Sequence, residues 1–183
     1  LMAGRKLLVL APGESLRTRE AQVLGFIQRE HPLVLAVNFA DPKFQVEVCF
    51  VSSHKRLDIA GARLRELPGV RRVFTSNLAA RADPDCLLVD YDRYLNGDPM
   101  VADNAGLMLL KLLIQLGVKE IWLAGMDGYS HIASENYAQE DMRMTAKVQT
   151  LDAMNQGMCQ VLRELSQQAD IRFLTTPKYV TLG

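Results

Sequence analysis

Disulfide, metal and dinucleotide signatures are all missing from this chain. Its three cysteines, Cys49, Cys86 and Cys159, are odd in number, widely scattered and without a Cys-x-x-Cys pair. That pattern argues against a disulfide framework or a zinc knuckle and fits free thiols in a reducing compartment, so a cytoplasmic protein is expected. No His-x-x-x-His or comparable ligand spacing occurs, and no metal site is expected. Acidic and basic residues balance at 21 each. Such neutrality leaves no electrostatic footprint for nucleic acid and no polybasic patch for anionic lipid. The longest apolar stretch, Leu107 to Ile114, is split by Lys111 and falls far short of the ~20 residues that cross a bilayer. Neither a nucleic acid nor a membrane is expected as a partner. The opening residues lack the charged-then-apolar pattern of a leader. The chain starts Leu1-Met2-Ala3-Gly4, as expected of a vector-derived residue or of a domain cut from a longer protein.

What is present is an alternation. The 183 residues, 49% hydrophobic, are enough for one domain with a sizeable core. Short Val/Ile/Leu-rich runs predict strands at 6–11, 33–38, 46–52, 72–76, 87–91, 120–124 and 171–175. Several are apolar at consecutive positions, as strands covered on both faces are. Helical patterns fall at 18–30, 57–67, 104–116 and 139–168. The order predicts an α/β fold: a doubly wound, mostly parallel sheet of about seven strands with helices on both faces, Rossmann-like, in a single domain. The 104–116 helix is apolar nearly all round and is expected at the centre. In the last helix an apolar stripe runs through Met144, Val148, Leu151, Met154, Met158, Leu162 and Leu165. Its methionines suit core packing, a subunit contact or a ligand groove.

Open parallel sheets bind ligands beyond the carboxyl ends of their strands, and most strands here end in small or hydrogen-bonding residues. The first loop, "LLVLAPGESL", has neither G-x-G-x-x-G nor G-x-x-x-x-G-K-[ST]. It keeps Gly13 for close backbone approach and Ser15 or Thr18 as a helix cap, which would offer N–H groups to an anion. In "DNAGLM", Asp103 or Asn104 caps the buried helix, and Gly106 leaves room for a ligand or for a tight packing contact. In "AGMDGYSH", Asp127, Tyr129 and His131 follow a strand, where an acid or base could act. His54, at a strand end, is a further candidate, and His31 a weaker one at a helix end. No nucleophile–base–acid constellation is spelled out.

These stretches resemble a known family. "APGESL", "AVNF" and "NAGLMLLKLLIQLGVKEIWLAGMDGY" are similar to nucleotide-using Rossmann-like proteins that include bacterial CMP-sialyltransferases and archaeal-type hydroxymethylpterin pyrophosphokinases. Those carry Gly-x-Gly-Pro-Ser-Leu in the first loop, an Asn after the second strand, and Gly-x-Asp-x-Tyr after the buried helix. More narrowly, "VNFADPKFQVEVCFVSSHKRL", "TSN", "DNAGLMLLKLLIQLGVKEIWLAGMDGYS", "ENY" and "FLTTPKY" resemble the C-terminal domain of 4-hydroxy-2-oxovalerate (HMG-CoA-lyase-like) aldolases, bacterial proteins often associated with polysaccharide loci. The resemblance implies a nucleotide or nucleotide-sugar site built from Gly13, Ser15, Asn38, Asn104 and Gly106, with Asp127 and Tyr129 nearby. It also implies an aldolase barrel as a partner in a parent chain, where any lyase chemistry would reside. Two positions depart from the pattern: Ala11 stands where the wider family has its first glycine, and Glu14 where it has proline.

Two functions follow as expectations. One is a nucleotide-binding or transferase module, with Mg²⁺ as a possible companion of the phosphates, Tyr129 as a donor and His131 as a base. The other is a non-catalytic accessory or oligomerisation domain whose Met-rich last helix forms an interface.

Overall fold

The computed structural model describes residues 4–67, 69–142 and 147–179. Seven strands, β1 (Leu7–Leu10), β2 (Leu33–Val37), β3 (Val48–Val51), β4 (Arg71–Thr75), β5 (Leu87–Val89), β6 (Glu120–Ala124) and β7 (Asp170–Phe173), form one sheet. Their order is β5-β4-β3-β2-β1-β6-β7, and every pairing is parallel. The sheet is therefore wholly parallel. From β1 the chain winds outward to β5, then returns to lay β6 on the other side of β1. That reversal puts a crevice between the carboxyl ends of β1 and β6.

Alternate residues of the strands feed opposite faces. Leu7 and Val9 of β1 and Leu33, Leu35 and Val37 of β2 pack beneath α5 (Ala105–Gln115) and α6 (Val148–Ser166). Leu8, Leu10, Val34 and Ala36 turn the other way, toward α1 (Ser15–Thr18) and α2 (Glu20–Glu30). Cys49 and Val51 meet α3 (His54–Arg65) on that same side. With both faces covered, β1 and β2 are buried throughout, which is why their sequences run apolar without alternation. Leu107 to Leu110 of α5 are 0–2% exposed. Each contributes about 1.5–3 kcal/mol by leaving water, so this helix anchors the β6 side of the crevice.

Several element boundaries differ from expectation. The helix expected at 18–30 is two, broken at Arg19 where φ is −121°. Neither Ser15 nor Thr18 caps: Ser15 is the first residue of α1, and no side chain caps α1 or α2. The predicted strand 87–91 stops at Val89, and Tyr91 begins a short α4 (Tyr91–Tyr94). The last helix starts at Val148, preceded by a 3₁₀ turn at Glu140–Met142. Met142 and Met158 are buried, and Met154 is half-buried against the same core. Met158 and Met154 pack in the core and also line the cleft described below; Met144 lies outside the described residues. Val148, expected on the apolar stripe, is 44% exposed. Among the described residues no helix is long and apolar enough to cross a membrane.

Candidate functional site

A cleft of about 410 Å³ opens at the carboxyl ends of β1, β2, β3 and β6 and at the first turns of α3 and α5. Gly13, Asn38, Asn104, Gly106, Asp127 and Tyr129 all line it. The strand ends of β4 and β5 do not. There Thr75 Oγ1 bonds Asn77 Oδ1 at 2.6 Å, Asn77 Nδ2 bonds Ser52 O at 3.1 Å, and Ser76 Oγ accepts from Tyr91 N at 3.0 Å. Their polar residues are turn chemistry.

The β1 and β6 loops are locked together. Gly13 N donates to Gly125 O at 2.8 Å, and Ala11 N to Ala124 O at 2.9 Å. Asp127, only 3% exposed, accepts from Ser15 N at 2.7 Å and from Ser15 Oγ at 2.5 Å. Ser15 Oγ lies 2.8 Å from Thr175 Oγ1, which accepts from Gly125 N at 2.9 Å. A hydroxyl has one proton. Ser15 gives its proton to the carboxylate, so Thr175 donates to Ser15, and a relay runs Gly125–Thr175–Ser15–Asp127. Burial pushes the Asp127 carboxyl above its ordinary value, while the Ser15 donors and Lys178 oppose that rise. The N–H groups of Ala11, Gly13 and Ser15 and the Ser15 hydroxyl are thus spent inside the protein. Gly13 still lines the cleft, but its N–H and that of Ser15 do not face a ligand, contrary to the reading of this loop as an anion cradle.

Asn38 follows β2 with φ +62°, a backbone region that asparagine tolerates better than most residues. Its Oδ1 is enclosed and has no hydrogen-bond partner among the described residues. A buried amide end left without a partner costs about 1–3 kcal/mol, a cost that a bound donor would remove. On the far side, Asn104 caps α5, its Oδ1 accepting from Leu107 N at 3.1 Å. The N–H groups of Ala105 and Gly106, which precede the first intrahelical bonds, remain at the positive end of this buried helix. A Cβ on Gly106 would collide with the Met126 side chain and stand 3.3 Å from Asn104 Oδ1. The flexible end of Met126 would have to move aside for a methyl group here.

Tyr129 is held by its backbone: Asn155 Oδ1 accepts from its N–H and Asn155 Nδ2 donates to its C=O, both at 2.8 Å. Burial raises its phenol far above the ordinary range, helped by the hydrogen-bonded Tyr137, with Arg56 opposing. Tyr129 accordingly keeps its proton at any ordinary pH and can donate only a hydrogen bond. His131 is exposed, pairs with Asp152 at 2.7 Å and does not line the cleft. His54 is exposed at the first position of α3, and His31 ends α2 at φ 45°.

Lys55 and Arg56 are absent from the residues that the sequence singles out, yet both line the cleft from the first turn of α3. Cations there oppose the helix dipole, which favours acidic residues at its start, and α3 has no acidic residue in that turn. The pair "KR" closely following a strand and its Ser-Ser turn is the readable signal. Among the described residues no group of three or more His, Cys, Asp or Glu side chains could hold a metal ion. No family model, no curated protein and no solved structure matches the chain.

Proposed function

We propose that this domain binds a nucleotide or nucleotide-sugar in the cleft, and that it serves as the C-terminal companion of an aldolase barrel in bacterial polysaccharide metabolism. The observation that carries the nucleotide reading is the pair Lys55 and Arg56 at the start of α3, on the cleft wall. Two cations at the positive end of a helix dipole repel both that end and each other unless an anion joins them. Phosphate oxygens meet that pair and the first N–H groups of α5. The Asn38 amide bonds a ribose or base edge, and the apolar wall of Met126, Met154 and Met158 takes the ring. Mg²⁺ bound to phosphates needs only one or two carboxylates from a protein, and Asp103 on the cleft wall supplies one. Tyr129 is the donor for charge on a leaving phosphate. His131, outside the cleft, is not assigned as a base in this reading.

A thermal-shift screen against CMP, CDP, UMP, UDP, GDP, ADP and their sugar conjugates, with and without Mg²⁺, tests this. Ligand at about 100 times its Kd adds about 2.7 kcal/mol, a shift of roughly 5–10 °C for a domain of this size. Asn38→Gly keeps the positive φ and removes the amide, so it is expected to weaken binding about tenfold or more, a loss of about 1.4 kcal/mol, while the ligand-free protein melts within a few degrees of the parent. A flat screen at millimolar ligand rejects the nucleotide reading.

The accessory reading draws on a different observation. β5 is an edge strand, and Leu87 and Leu88 on it are 60% and 48% exposed. Unpaired, apolar edges favour association. On that reading the domain sediments as a concentration-dependent dimer and Leu88→Lys returns it to monomer; a parent that is monomeric at all concentrations removes it.

A further inference from the structure

Residues 136–142 join the two walls of the cleft. Asn136 and Tyr137 line it, and the segment is anchored to the loops after β1 and β6. Asn136 clamps Ser130 through both its amide atoms, and Ala138 N donates to Pro12 O at 3.0 Å. The far end of the segment reaches α3 through Arg56, whose Nη1 donates to Met142 O at 2.8 Å and lies 3.2 Å from Met142 Sδ. The same guanidinium sits over the Tyr137 ring, 5.0 Å from its centroid. Among the described residues, Nε and Nη2 of Arg56 have no hydrogen-bond partner.

A guanidinium is a planar fork of five N–H donors, and its Nε–Nη2 edge matches two oxygens of a phosphate. Here Nη1 is occupied by the loop, and the head is seated on an aromatic ring, so the edge suited to an anion is left over in an already ordered side chain. We propose that Arg56 is a clasp gripping the 137–142 segment and the ligand's phosphate at the same time, so that anion binding and closure of this segment strengthen each other. This rests on the anion reading of the cleft. The coupling is reciprocal: a segment that orders Arg56 reduces the rotamer freedom lost on binding, and an anion on Nε–Nη2 holds Nη1 against Met142. Lysine in its place keeps the charge but is a point donor that cannot serve both partners.

Hydrogen exchange of the full chain tests the clasp, followed in peptides covering 137–142 with and without saturating inorganic pyrophosphate; binding is measured separately by calorimetry. The amides of Ala138 and Met142, hydrogen-bonded to Pro12 O and Gln139 O, report the segment. In the parent protein pyrophosphate slows their exchange at least about fivefold. Arg56→Lys still binds pyrophosphate, shows less than about twofold protection, and exchanges faster than the parent before any ligand is added. Tyr137→Leu, which leaves the charge untouched, also lowers the protection. Bound pyrophosphate that leaves exchange unchanged in the parent overturns the clasp alone. Equal protection in Arg56→Lys, or unchanged ligand-free exchange in that variant, does the same. Failure of pyrophosphate to bind the parent overturns both the clasp and the anion reading beneath it.

Discussion

Gly125→Ala is expected to lower the melting temperature by roughly 8–16 °C, the range that corresponds to about 4 kcal/mol in a domain of this length. Two independent costs add. Gly125 has φ +73°, where an L side chain costs about 1–2 kcal/mol. Its new Cβ would also collide with the Ala11 carbonyl oxygen and stand 2.8 Å from Leu16 Cγ. The obstacle is backbone of the neighbouring strand's loop, which cannot rotate away, so overpacking adds about 1–3 kcal/mol. Gly117→Ala separates the two costs. Gly117 follows α5 at φ +88°, and nothing lies within 4 Å of where its added methyl would stand. Only the backbone cost remains there, about 1 kcal/mol. Equal losses in the two variants would show that the β1 and β6 loops are not pressed together as described.

Removing the Asp127 carboxylate is the second large effect. Asp127→Ala strands the Ser15 N–H and hydroxyl inside the protein, and at about 1–3 kcal/mol for each unpaired donor the loss is about 3 kcal/mol. Asp127→Asn is the more informative variant, because it isolates the charge. The unfolded chain releases this proton near 3.8, whereas burial makes the folded protein hold it to higher pH. Below 3.8 both states are protonated and the side chain contributes its full stability. As pH rises from there through the folded value, the folded state binds more protons than the unfolded one, so stability falls. The difference between parent and Asp127→Asn, from urea midpoints between about pH 4 and pH 7, should therefore shrink or reverse with rising pH. A difference that grows with pH would mean that the Ser15 donors outweigh burial and depress the carboxyl.

The parallel sheet is readable from residues alone, for a physical reason. "LLVL" and "LVLAV" face helices on both sides, and only such strands run apolar without alternation. Helix starts are harder. "SSHKR" has no apolar period, because the first turn of α3 faces the cleft instead of the core. Periodicity therefore begins that helix at Leu57, after the true start at His54, and passes over its two cations. The site follows the switch-point rule where strands adjoin the reversal: Gly13, Asn38 and Asp127 sit there. The ends of β4 and β5 have similar residues but lie too far along the sheet. What residue identity does not convey is direction. Ser15 has the chemistry of a ligand for an anion; its hydroxyl faces inward to a carboxylate 112 positions away, and no local pattern predicts a pairing of that span.

The Gly125–Thr175–Ser15–Asp127 relay ties the first loop to a residue 160 positions later. Synthesis reaches Ser15 well before Thr175, and until that threonine has emerged the Ser15 hydroxyl lacks its second partner. The sheet strands from β1 to β6 are all synthesised earlier. The brace behind the β1 and β6 loops is thus closed only after the strands that it joins, and a chain cut short before Thr175 would keep β1 to β6 while lacking the hydroxyl that Gly125 N and Ser15 Oγ bond.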